Sequence, residues 1–82
     1  DWSSQIVQIG LAACIQRSRI TSVYKWENSL QSSDEWKIQI KTSTNKKNEL
    51  VKYITSNHPY DIPEVNIWKA SSTKVYTKWV EN

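Results

Sequence analysis

The residues Asn57 to Glu64, NHPYDIPE, bring together the only His of the chain, both of its Pro residues, a Tyr and two carboxylates. Metal chemistry needs lone pairs that converge. The groups on offer are the His58 imidazole, the Asp61 and Glu64 carboxylates and, from elsewhere in the chain, the Cys14 thiol. Imidazole with thiolate suits zinc or copper, and the Irving–Williams order favours copper where both are available. Pro59 and Pro63 fix their own φ at about −65° and push His58 and Ile62 towards extended backbone, so the turn is stiff. The competing reading is structural. In it His58 is a turn histidine held by backbone carbonyls, Glu64 pairs with a Lys or caps a turn, and Cys14, just after Ala12 and Ala13, is a small buried hydrophobe.

Other chemistries lack their parts. A nucleophilic enzyme needs a base beside its nucleophile, and one Cys far in sequence from one His supplies only raw material. A glycine-rich phosphate cradle is excluded because Gly10 is the only glycine. A single-strand nucleic-acid platform would combine Lys37 and Lys41 with Trp36 and Trp68. Alternation puts Trp36 on the opposite face from Lys37 and Lys41, so rings and charges do not share a surface. The chain is therefore expected to be non-catalytic, with no nucleic-acid partner.

The bulk properties limit the rest. Eleven Lys and Arg against eight Asp and Glu leave a net charge of +3, spread along the chain. The densest cluster, Lys46, Lys47 and Lys52, reads as a solvated helix face. A single Cys forbids an intrachain disulfide and fits a reducing, cytoplasmic setting, with an organellar leader before Asp1 left open. No apolar run reaches the ~18 residues that span a bilayer, so no membrane partner is expected.

Eighty-two residues form one domain, residues 1–82, and a domain this short buries only roughly 60–65% of its unfolded surface. Five Trp and four Tyr, with no Phe and no Met, exceed what so small a subunit can enclose. Large amphipathic rings of this kind suit buried contacts between subunits.

The elements that position these groups follow from periodicity. Trp2 to Ile9 approximates a short helical stripe that Gly10 can end with positive φ. Leu11 to Glu27 reads as a long strand, bent near Arg17 to Arg19, with Ile20, Ser22, Tyr24 and Trp26 on one face. Asn28 to Asp34 reads as a polar turn, after which Trp36, Ile38 and Ile40 resume a period of two against Lys37, Gln39 and Lys41. Ser43 or Thr44 can cap a helix from about Asn45 to Ser56 that buries Leu50, Tyr53 and Ile54. Glu64 to Ala70 is expected as a short strand and Thr73 to Val80 as a last helix with Val75, Tyr76, Trp79 and Val80 on one face.

The strings LAACIQ (Leu11 to Gln16), ITSVYKWE (Ile20 to Glu27), IKTST (Ile40 to Thr44) and PEV (Pro63 to Val65), with the NHPYDIPE turn and the Tyr76-x-x-Trp79 pair, resemble the CutA family of divalent-ion-tolerance proteins in order and spacing. The resemblance implies an α+β, ferredoxin-like subunit (βαββαβ type) with an added C-terminal helix, assembling as a homotrimer. It implies copper or another divalent cation around His58 and Glu64, although Asn57 replaces the family's first His. It also places Trp26, Lys41 and Tyr60 near clefts between subunits, where the similarly built PII signalling trimers hold small effectors. The family's opening strand, with its own cysteine, has no counterpart before Asp1, so the natural protein is expected to be longer. Lys37 and Gln39 stand where the family is more apolar.

Overall fold

The computed structural model describes residues 2–57 and 64–82. Helix α1 (Trp2–Gln8) leads into strand β1 (Cys14–Trp26), strand β2 (Ser29–Lys41), a 3-10 turn (Thr44–Lys46), helix α2 (Lys47–Asn57) and helix α3 (Lys74–Glu81).

Gly10 ends α1 as its spacing predicts. Its φ is 82°, its N–H donates to the Val7 carbonyl at 3.1 Å and the Leu11 N–H donates to the Ile6 carbonyl at 3.1 Å. This pair of bonds is a Schellman motif, and it is accompanied by packing of Leu11 against the core around Ile6.

β1 and β2 are antiparallel, and their register runs from Cys14 opposite Lys41 to Trp26 opposite Ser29. It continues without a slip through Arg17 to Arg19, where a bend was expected. The turn is Glu27 and Asn28 alone, with φ of 51° and 65°, the two positive angles of a type I′ hairpin. The expected polar turn over Asn28 to Asp34 is thus a misreading, since Ser29 to Asp34 continue the ladder. Most of these residues are exposed in the single chain, which polar side chains tolerate in a strand as readily as in a loop. Thr21 Oγ1 donates to Asp34 Oδ1 at 3.0 Å, and Ser33 Oγ donates to the Tyr24 hydroxyl at 3.3 Å. At the near end, the Ala13 N–H donates to the Lys41 carbonyl and Thr42 Oγ1 to the Leu11 carbonyl, at 2.9 and 2.7 Å. The strand therefore starts at Cys14 rather than Leu11.

Ser43 precedes the 3-10 turn in extended conformation without capping it through its side chain. α2 buries Leu50 and Ile54, and the Tyr53 hydroxyl donates to Gln5 Oε1 of α1 at 3.2 Å. Thr73 caps α3, its Oγ1 accepting from the Tyr76 N–H at 3.3 Å. Of the face expected to pack, Tyr76 and Val80 are half-buried, whereas Val75 and Trp79 stand exposed.

The strand expected over Glu64 to Ala70 does not form, and among the described residues the sheet consists of β1 and β2. A strand exists only as part of a ladder, and this segment hydrogen-bonds to neither ribbon edge. The core is correspondingly small. Ile6, Ala12, Leu50 and Ile54 are buried, with Trp2, Leu11, Ile15, Ile40, Tyr53 and Val65 packed around them. Trp26, Leu30, Trp36 and Trp68 are each more than half exposed.

Candidate functional site

The side chains singled out for chemistry fall in three places. Cys14 and Lys41 face each other at the base of the hairpin, where Ile15 and Ile40, the next pair, turn to the opposite face and pack on the core. Both are half-buried. Lys41 Nζ lies 5.5 Å from the centroid of the Tyr76 ring, a cation–π contact that ties α3 to the sheet. Tyr76 in turn stacks on Trp79 with centroids 5.6 Å apart and planes tilted by 35°. Cys14 thus has Lys41 as its strand neighbour, and it is a free thiol.

Glu64 is exposed, and its Oε2 accepts from Asn66 Nδ2 at 2.7 Å. The bond orients the carboxylate and leaves lone pairs for a further donor or a cation. His58, Tyr60 and Asp61 lie outside the described residues. Among the described residues no group of three His, Cys, Asp or Glu side chains converges in a way that could hold a metal ion.

Trp26 is at the far end. It pairs with Ser29 beside the turn, on the same face as Lys41 but roughly 40 Å from it along the ribbon, at ~3.3 Å per residue. Within one chain the two do not meet. The sequence reading missed the contact of the Arg19 guanidinium with the Trp36 ring, 4.9 Å to the centroid. The signal was the register itself. Once β1 and β2 pair through a two-residue turn, Arg19 is directly opposite Trp36.

The whole chain, residues 1–82, matches the model of the CutA1 divalent ion tolerance protein family. The chain belongs to the CutA family. Its relatives include the Protein CutA homolog of Xenopus laevis, 35% identical over 82 residues that make up 98% of this chain and 54% of that protein. They also include the chloroplastic Protein CutA of Arabidopsis thaliana, 37% identical over 82 residues, 98% of this chain and 45% of that protein. The chain spans about half the length of these two relatives. Among solved structures, the PII-like protein CutA from Nostoc sp. PCC 7120 in apo form superposes with a TM-score of 0.91 at 26% identity, covering 96% of this chain and 79% of that one. The fold of this CutA chain is therefore α+β and ferredoxin-like, its long hairpin and helices following the PII-like arrangement. Among the described residues no helix is long and apolar enough to cross a membrane.

Proposed function

We propose that this chain is the subunit of a non-catalytic homotrimer that binds copper or another divalent cation at the His58 turn, in the service of metal tolerance. The observation that carries the reading is the mismatch between core and rings. Among the described residues four are buried, while Trp26, Leu30 and Trp36 stand exposed along a ribbon that projects beyond that core. A ribbon of two strands is marginal in water unless a further surface covers it. Other copies of the chain supply such a surface, and the trimer follows from the family resemblance.

For the metal, His58 and Glu64 are the ligands we assign, in keeping with the family's divalent-ion-tolerance description. Imidazole and carboxylate from this chain leave coordination positions open for water, which points to weak binding. Cys14 is the third candidate. Its half-buried place at the base of the hairpin, just after the buried Ala12, suits packing better. A reducing compartment fits the single thiol, either cytoplasm or an organelle such as the one named for the chloroplastic Arabidopsis relative.

A second reading is favoured by the hairpin. Trp26 and Lys41 share a face but cannot meet within one chain, so a cleft built from them together with Tyr60 has to form between subunits. In that reading the trimer is a PII-like scaffold that takes a small ligand or partner protein at those clefts.

Copper titration by calorimetry, with light scattering on the same samples, tests both levels. His58→Ala should lower copper affinity and leave the trimer intact. Identical titration curves for the two proteins would remove the metal assignment, and loss of the trimer would make the turn structural instead.

A further inference from the structure

We draw no further inference here: the strongest candidate, the surface patch of Arg19, Val23, Lys25, Leu30 and Trp36 on the helix-side face of the ribbon beyond the core, belongs to the contact between copies already proposed, and nothing in the structure shows what else covers it.

Discussion

Trp26 and Lys41 lie on the same face of one hairpin and at its opposite ends, Trp26 opposite Ser29 at the turn and Lys41 opposite Cys14 at the base. Residues separated in this way serve one site only if another copy of the chain brings its hairpin alongside. The relationship converts a statement about sequence motifs into one about assembly. In the proposed assembly the exposed Ile, Val, Trp and Leu of the ribbon would be the contacts between copies.

Leu30, 77% exposed beside the turn and on the face opposite Trp26 and Lys41, probes whether the far end of the ribbon is covered at all. Leu30→Asp removes no contact to the core and should leave the helical signal of the subunit unchanged. By sedimentation velocity we expect the assembly to weaken by about tenfold or more, since burying an unpaired carboxylate costs more than ~1–3 kcal/mol. An unaltered sedimentation profile would show that the tip faces solvent.

The turn carries a local strain. Glu27 holds φ at 51° and Asn28 at 65°, and only Asn among these two tolerates the left-handed region well. Replacing the pair by Asn-Gly, the preferred type I′ sequence, should raise stability by about 1 kcal/mol in denaturant unfolding. A destabilised double variant would mean that the Glu27 side chain has a partner in the assembly that outweighs the backbone.

Gly10 should resist substitution for the opposite reason. Nothing crowds its position, yet φ of 82° is unfavourable for any L side chain, so Gly10→Ala should lower stability by ~1–2 kcal/mol through the backbone alone. Thermal unfolding of the two proteins checks this.

The Trp2 indole is the reverse case. Its Nε1 is buried with no hydrogen-bond partner among the described residues, while the ring packs on the core. An unmade hydrogen bond of this kind costs ~1–3 kcal/mol, so Trp2→Phe should lose little stability although it removes ring area. A loss comparable to the ~3–5 kcal/mol of a buried aromatic truncation would reveal an acceptor for Nε1.

Much of this architecture was legible in the residues. Gly10 announces its Schellman motif, the alternation of Trp36, Ile38 and Ile40 against Lys37, Gln39 and Lys41 gives the faces of β2, and the Leu50 and Ile54 spacing gives the buried side of α2. The turn was not legible, because Ser and Asp on a wet ribbon look like Ser and Asp in a loop. Glu27 also carries none of the Gly or Asn signal that marks positive φ. The strand over Glu64 to Ala70 failed differently. Its residue pattern is suitable, but a ladder needs a neighbour, and pairing is a property of the whole sheet that local sequence does not encode. Of the site residues, the pairing of Cys14 with Lys41 and the contact of Lys41 with Tyr76 depend on register and helix docking. Spacing along the chain could name those residues but not join them.

The most direct measurement is the solution mass of the protein by light scattering across a dilution series. We expect a species of three times the 9.6 kDa chain that persists on dilution. A single 9.6 kDa species at every concentration would contradict the proposal that these exposed rings are the contacts of a trimer.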